Sequence, residues 1–139
     1  MSFVLDTSVT MHWCFGDGTP SDREYARNVL DALKGTSAMV PVTWGLEVAN
    51  VIARTETRGL WPKTRSEQFL EMLSHTDIKV DEDTYARALS DTLELARRHK
   101  LSAYDASYLE LALRLDISLA TLDENLLKAA KKAGVKKFV

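Results

Sequence analysis

Hydrophobic positions along this chain occur in two patterns, which alternate from one end to the other. Short continuous apolar runs have the length of buried strands, whereas the stretches between them repeat apolar residues at the three- and four-residue spacing of a helix face. The predicted strands are residues 3–5, 38–42, 78–80, 117–120 and 135–139. Strands and helices in alternation predict an α/β protein with a three-layer α/β/α fold, in which helices flank a short parallel β-sheet.

Capping sequences indicate where several helices begin. Ser21 and Glu24 have the spacing of a capping box, and the helix that they open is predicted to end at Gly35. The helix that contains Glu47 is predicted to run to about Gly59. Further helices are predicted to start near Pro62, to extend over residues 82–99, and to follow the capping pairs Ser102 with Asp105 and Thr121 with Glu124.

Composition limits the classes of protein that remain. The 139 residues fit a single domain, 1–139, and 18 basic against 20 acidic residues give a formal charge of -2, which does not indicate a generally basic nucleic-acid binder. Cys14 is the only cysteine, so an internal disulfide, a zinc knuckle and a redox pair are excluded. The N-terminus lacks the pattern of a signal peptide and no membrane span is predicted, so we expect a soluble cytoplasmic protein.

Acidic residues stand where predicted strands or apolar helices meet loops. Asp6 ends the first strand, and Asp123 follows the strand that ends at residue 120. Asp105 lies in the first turn of an apolar helix, and Glu47 lies on the apolar side of another. Because ligands of such sheets bind beyond the carboxyl ends of the strands, we expect these four side chains at one common edge.

Four carboxylates without obvious cationic partners predict a metal site. Crowded carboxylates repel one another, and they stay ionised at neutral pH only when a cation compensates them. Oxygen ligands without histidine or thiolate favour a hard cation such as Mg²⁺ or Mn²⁺ over zinc. Taken singly, Asp105 and Asp123 are also explained as acids that stabilise helix N-termini. The prediction therefore depends most on Asp6 and Glu47.

At these residues the chain resembles PIN-domain ribonucleases, and more narrowly the VapC toxins of VapBC toxin–antitoxin modules. The resemblance extends over the whole length and rests on four segments in this order: VLDTS, the E-x-x-N segment from Glu47 to Asn50, AYDASYLELA and LATLDENL. It implies a PIN-like fold and an endoribonuclease in which a metal-activated water hydrolyses RNA phosphodiesters. The catalytic and metal-binding cluster would consist of Asp6, Glu47, Asp105 and Asp123, with one or two Mg²⁺ or Mn²⁺ ions.

The same resemblance implies partners and supporting residues. A small VapB-like antitoxin would block the enzyme, and the protein would form a homodimer. Ser8 matches the hydroxyl of the D-x-S opening, Thr121 matches the hydroxyl before the last acid, and Asn125 stands where relatives often carry an acid or an amide. Positive side chains near these acids are expected to contact the RNA backbone. The candidates are Arg54, Lys128, Lys131 and Lys132.

Aromatic residues leave two roles open. Trp13, Phe15 and Trp61 flank short helices and loops, where they either belong to the core or line a groove for an antitoxin helix. The groove interpretation predicts that these rings are exposed in the isolated chain. Tyr104 and Tyr108 bracket an acidic residue, and either stacking on a base or packing explains them.

Two other functions are compatible with the same residues. A PIN-like module that binds RNA or a protein without cutting would have this fold but no need for divalent ions at four acids. A phosphatase or phosphoacceptor domain would use Asp6 as its nucleophile. Haloacid-dehalogenase-like phosphatases usually carry a second aspartate two residues further on, where this chain has Ser8. The metal-dependent ribonuclease therefore accounts for more of the acidic residues than either alternative.

Overall fold

The computed structural model describes residues 2–139, in which strands and helices alternate. No helix in this part of the chain is long and apolar enough to cross a membrane. The strands are β1 (Ser2–Leu5), β2 (Ser37–Val40), β3 (Ile78–Val80) and β4 (Ser118–Ala120). The helices are α1 (Thr7–Phe15), α2 (Pro20–Ala32), α3 (Trp44–Thr57), α4 (Lys63–Ser74), α5 (Thr84–Arg87), α6 (Leu93–His99), α7 (Ala103–Leu115) and α8 (Glu124–Lys132), with a π-helical segment, Ala88–Thr92, between α5 and α6.

The strands form one parallel sheet in the order β3-β2-β1-β4. The chain runs outward from β1 through β2 to β3, and then crosses to the other side of β1 to add β4. A crevice for ligands opens at such a reversal of strand order, beyond the carboxyl ends of the strands. Asp6 and Thr121 are the residues that follow β1 and β4 at this point.

Successive residues of the strands point to opposite faces of the sheet, and each face is covered by its own apolar cluster. Phe3 and Leu5 of β1 pack in a cluster with α2, whereas Val4 packs in a cluster with α7 and α8. Leu119 and Ala120 of β4 are divided in the same way. Helices therefore cover both faces, and the predicted three-layer α/β/α fold is confirmed.

A third apolar cluster joins α1, α3 and α4, and it contains the buried Cys14. Trp61 is only 7% exposed, and its ring centroid lies 4.8 Å from that of Phe15. Trp13 is partly buried, and its Nε1 donates a hydrogen bond of 2.7 Å to the carbonyl oxygen of Ala26. The expectation that these rings are exposed is therefore wrong for Trp61. They pack α1 against its neighbours.

Three elements differ from the sequence prediction. Helix α1 was not predicted, because its hydroxyl and apolar residues alternate without an amphipathic face; Thr7 and Thr10 are buried together with Val9. The predicted strand at 135–139 is wrong, since this segment makes only an isolated bridge between Leu119 and Lys137. The helix predicted over 82–99 is present as three consecutive helical segments with a π-helical middle.

Two helix starts also differ. Helix α2 begins at Pro20, and the reciprocal capping box joins Thr19 and Asp22 instead of Ser21 and Glu24. Proline favours the first helical position because its fixed φ suits the helix and its missing N–H has no partner there in any case. At α8 the N-cap is Asp123, so the predicted cap by Thr121 with Glu124 is wrong.

Candidate functional site

Asp6 lies at the centre of a hydroxyl cluster at the carboxyl edge of the sheet. It follows β1 and is 4% exposed. Its Oδ2 accepts hydrogen bonds from Ser8 Oγ at 2.6 Å and from Thr121 Oγ1 at 2.8 Å. Ser8 Oγ in turn accepts a hydrogen bond from the backbone N–H of Leu122 at 3.0 Å. Ser8 of α1 and Thr121, which follows β4, therefore hold the Asp6 carboxylate in place.

Glu47 is held by a tyrosine from the neighbouring helix. It lies in the first turn of α3 and is partly buried. Tyr108 of α7 has no exposed surface, and its hydroxyl donates a hydrogen bond of 2.7 Å to Glu47 Oε1. The Thr7 hydroxyl lies 2.6 Å from the same tyrosine oxygen. Residues from α1, α3 and α7 are thereby joined next to Asp6.

Asp105 and Asp123 lie at helix starts, as predicted. Asp105 is partly buried in the first turn of α7, where its backbone N–H donates to the side chain of the N-cap Ser102 at 3.0 Å. Asp123 is the N-cap of α8, and its Oδ1 accepts from the backbone N–H of Leu126 at 2.9 Å. Thr121 Oγ1 accepts from the Asp123 N–H at 3.0 Å. A hydroxyl thus links Asp123 to the Asp6 cluster.

The carboxylates of this group affect one another's ionisation. Burial is the largest cause that raises the pKa values of Asp6, Glu47 and Asp105, and the pKa of Asp6 reaches about 6. The Ser8 and Thr121 hydroxyls offset part of the shift at Asp6. The negative charge of Asp105 raises the pKa of both Asp6 and Glu47, and that of Asp123 raises the pKa of Asp105. The four predicted acids therefore form one electrostatic group.

The donor set of this group suits a hard divalent cation, because it offers carboxylate oxygens without histidine or thiolate. A cation would also oppose the burial and repulsion that raise these pKa values. Within residues 2–139, no three histidine, cysteine, aspartate or glutamate side chains lie close enough together to form a metal site as they stand.

A family model of the PIN domain matches residues 3–132. The chain belongs to the PIN-domain family. A curated relative, Ribonuclease VapC3 of Pyrobaculum aerophilum, is 35% identical over 80 residues, which are 58% of this chain and 61% of that protein. The match thus spans less than two thirds of the relative's length.

Two solved structures are similar to this PIN domain in fold. The structure of PAE2754 from Pyrobaculum aerophilum has a TM-score of 0.66 and 22% sequence identity, over 93% of this chain and 87% of that one. The structure of FitAcB from Neisseria gonorrhoeae has a TM-score of 0.61 and 20% identity, over 100% of this chain and 97% of that one. At these identities the similarity establishes the fold alone.

The predicted basic residues of this PIN domain lie in different places. Lys128 and Lys132 of α8 line a cleft together with Asn125, which lies in the first turn of the same helix. Lys131 is exposed on α8 but is not among the residues that line this cleft. Arg54 is exposed on α3, two turns beyond Glu47. Only part of the predicted cationic set is thus brought together.

Tyr108 contacts a predicted site residue, which the sequence did not indicate. Its three-residue distance from Asp105 places both on one face of α7, which is the signal that the sequence contained. Its hydrogen bond to Glu47, 61 positions away, depends on the tertiary structure, which brings the start of α7 close to the start of α3. Tyr104, by contrast, is 62% exposed. Packing and a polar contact explain Tyr108, whereas Tyr104 is free to meet a ligand.

Proposed function

We propose that this PIN protein is a divalent-metal-dependent endoribonuclease that acts in the cytoplasm as the toxin of a toxin–antitoxin pair. The observation that carries the proposal is the group of partly or fully buried carboxylates at the carboxyl edge of the sheet, in which burial and nearby negative charge raise the pKa values of Asp6, Glu47 and Asp105. A bound cation would offset this burial and repulsion and so stabilise the ionised carboxylates. The 35% identity to a protein named Ribonuclease VapC3 supports RNA as the substrate.

Each residue of the site has a distinct role in this proposal. The cation, one ion or two, would be held by Asp6, Glu47, Asp105 and Asp123. A cation bound there would lower the pKa of a water molecule and screen the charge of the phosphodiester. The Ser8 and Thr121 hydroxyls keep the Asp6 carboxylate in one orientation, and the Tyr108 hydroxyl does the same for Glu47. Asn125 supports the site from the first turn of α8.

Cleavage of RNA by the purified protein tests this proposal. We expect cleavage of a labelled single-stranded RNA with Mg²⁺ or Mn²⁺ and none with EDTA. Asp123→Asn is an informative variant, because asparagine caps a helix as well as aspartate does, so that α8 is retained while a cation ligand is weakened. Asp31→Asn is the control, since this exposed acid pairs with Lys34 at 3.3 Å on α2, away from the site. Full activity of Asp6→Asn would exclude the assigned site.

Binding of Mn²⁺ separates the nuclease from the non-catalytic alternative. Isothermal titration calorimetry is expected to detect Mn²⁺ binding to the wild-type protein and weaker binding to Asp123→Asn. A PIN-like module without catalysis has no need for ions at this group, so a protein that binds RNA but no divalent cation would support that alternative. Trapping of an aspartyl-phosphate on Asp6 would instead support the phosphatase.

An apolar cavity of about 380 Å³ between α3 and α4 supports the antitoxin part of the proposal. Its lining includes Val48, Ile52 and Ala53 of α3 and Leu70 of α4, and Leu70 is 48% exposed. An amphipathic helix binds to a groove of this kind through its apolar face. This cavity, and not the packed rings of Trp61 and its neighbours, is the surface that we assign to the antitoxin.

Co-expression with the reading frame immediately upstream is expected to suppress RNA cleavage if that frame encodes the antitoxin. Ala53→Glu places a charge at the exposed rim of the cavity, and it should weaken this inhibition without changing cleavage by the free protein. Retained inhibition would exclude the cavity as the binding surface.

Light scattering of the purified protein tests the proposed homodimer, and a monomeric mass at micromolar concentration would contradict it.

A further inference from the structure

A basic cleft of about 530 Å³ lies between the end of α6 and helix α8. The arginine and lysine side chains that line it are cationic, and no acidic residue lines it. The lining residues used below are Arg98, His99, Lys100, Asn125, Lys128 and Lys132. Because the whole chain carries a formal charge of -2, this cleft is a local exception to its charge balance.

These cations come from two chain segments that the fold brings together. Arg98 lies in the last turn of α6 and Lys132 in the last turn of α8, where the helix dipole favours positive charge. That explanation does not extend to Lys100, which follows α6, or to Lys128, which lies in the middle of α8. The concentration of charge is therefore more than a set of helix ends.

Few acids of the protein compensate these cations. Arg98 approaches Glu94 at 3.9 Å, a distance at which two exposed groups gain little. Within residues 2–139, Lys100, Lys128 and Lys132 form no salt bridge. Unpaired cations held on both walls of a cleft repel one another, and a polyanion that enters the cleft would relieve this repulsion.

The position of the cleft connects it to the carboxylate site. Asn125 lies two residues after the N-cap Asp123, and the cleft follows α8 from Asn125 to Lys132. At a rise of 1.5 Å per residue this distance is about 10 Å, which accommodates more than one backbone phosphate. Lysine binds phosphate as a point charge and reads no base, so such a surface would position RNA without selecting its sequence.

We propose that this cleft binds the phosphodiester backbone of the RNA strand beside the cut, and so positions the substrate at the carboxylates. The inference rests on the proposed ribonuclease function and adds to it the surface that holds the flanking strand. It assigns this role to Lys128 and Lys132 together with Arg98 and Lys100, which enter the cleft from the opposite wall. Lys131 and Arg54 lie outside the cleft lining.

The salt dependence of RNA binding tests this inference without any cleavage. Binding of a single-stranded RNA in EDTA is measured by fluorescence anisotropy at several salt concentrations. Each lost phosphate contact lowers the slope of log K against log salt by about 0.7, so Lys128→Gln with Lys132→Gln should lower it by about 1.4. The control Lys34→Gln with Lys79→Gln removes the same charge from exposed lysines elsewhere and should leave the slope unchanged.

Cleavage kinetics then separate the cleft from the catalytic site. The Lys128→Gln, Lys132→Gln variant should raise KM for a long RNA with little change in kcat. Arginine at both positions should restore KM. If the wild-type protein cleaves RNA while the glutamine variant matches its control in slope and KM, the cleft inference is wrong and the ribonuclease stands. If the wild-type protein neither binds nor cleaves RNA, both fail.

Discussion

Replacing Asp6 by asparagine is expected to make the cation-free protein more stable at neutral pH, although it removes a carboxylate from the proposed active site. Asp6 is 4% exposed, and it lies near the negative charges of Asp105 and Glu47. Its ionised form is therefore less favourable in the folded protein than in the unfolded chain. Asparagine has nearly the same shape and keeps an oxygen that accepts hydrogen bonds from Ser8 and Thr121.

The magnitude follows from the pKa of Asp6, which burial raises from 3.8 to about 6. A shift of this size corresponds to about 3 kcal/mol of destabilisation when the carboxylate is fully ionised, at 1.36 kcal/mol per pKa unit. A neutral amide accepts weaker hydrogen bonds than a carboxylate, which removes about 1 kcal/mol of the gain. We therefore expect Asp6→Asn to raise the free energy of unfolding by about 2 kcal/mol at pH 8.

The pH dependence has a definite sign. Between pH 3.8 and about 6 the folded protein holds a proton on Asp6 that the unfolded chain has lost, so the wild-type contribution to stability falls as pH rises through this window. The advantage of Asp6→Asn should consequently fall by about 1 kcal/mol between pH 8 and pH 5. Urea unfolding in EDTA, followed by circular dichroism at both pH values, measures this difference.

Asp81→Asn is the matched control, because it makes the same chemical change at a similarly buried aspartate whose pKa is shifted in the opposite direction. Burial tends to raise the pKa of Asp81, but hydrogen bonds from Arg114 and Thr84 outweigh it and lower the pKa. Asp81 thus stabilises the fold at neutral pH, and this contribution is lost as pH falls. We expect Asp81→Asn to destabilise the protein. The reasoning is refuted if Asp6→Asn is as destabilising as Asp81→Asn at pH 8.

Three further predictions concern the ions and the residues around the site. Mn²⁺ at a hundredfold excess over its Kd should raise the free energy of unfolding of the wild-type protein by about 2.7 kcal/mol in urea titrations, and no shift would contradict cation binding to the fold. Tyr108→Phe removes the donor to Glu47 and should cost about 1–3 kcal/mol of stability, with weaker Mn²⁺ binding by calorimetry; unchanged affinity would argue against a positioning role. Arg114→Leu leaves the carboxylates of Asp81 and Glu110 buried without their partner, and should cost about 3–5 kcal/mol in the same unfolding assay, whereas a loss below about 1 kcal/mol would contradict the role of this ion pair.

The strands of the sheet were the elements that the sequence predicted most accurately. β1, β2, β3 and β4 all lie within two residues of their predicted bounds. For β1 and β4 the reason is that a strand covered on both faces is an almost continuous apolar run. β3 lies at the edge of the sheet, and its Lys79 and Val80 are exposed. Helix α1 was not predicted, because burial on several sides also removes the pattern that identifies a helix. It packs against both α2 and α3, so apolar and hydroxyl residues surround it and no polar face reveals the helical period.

The first residues of the helices were predicted less accurately, because competing N-cap residues lie within a few residues of one another. Both Thr19 and Ser21 are good N-cap residues, and Pro20 decides between them by its preference for the first helical turn. At α8 the Thr121 hydroxyl is engaged by the Asp6 carboxylate and by the Asp123 N–H, so Asp123 caps the helix instead. Local sequence allowed either choice, and a contact with a distant strand end selected one.

The sequence by itself determined the alternation of strands and helices, and it located the acidic residues at strand ends and helix starts that resemble those of the family. Both depend on local patterns of polarity and spacing. Only the tertiary structure decided what surrounds those acids. Tyr108 reaches Glu47, Thr121 reaches Asp6, and Lys128 comes to face Lys100 across a cleft, in each case over a long sequence separation. Such pairs depend on the order of strands and the packing of helices, which residue types along one segment do not specify.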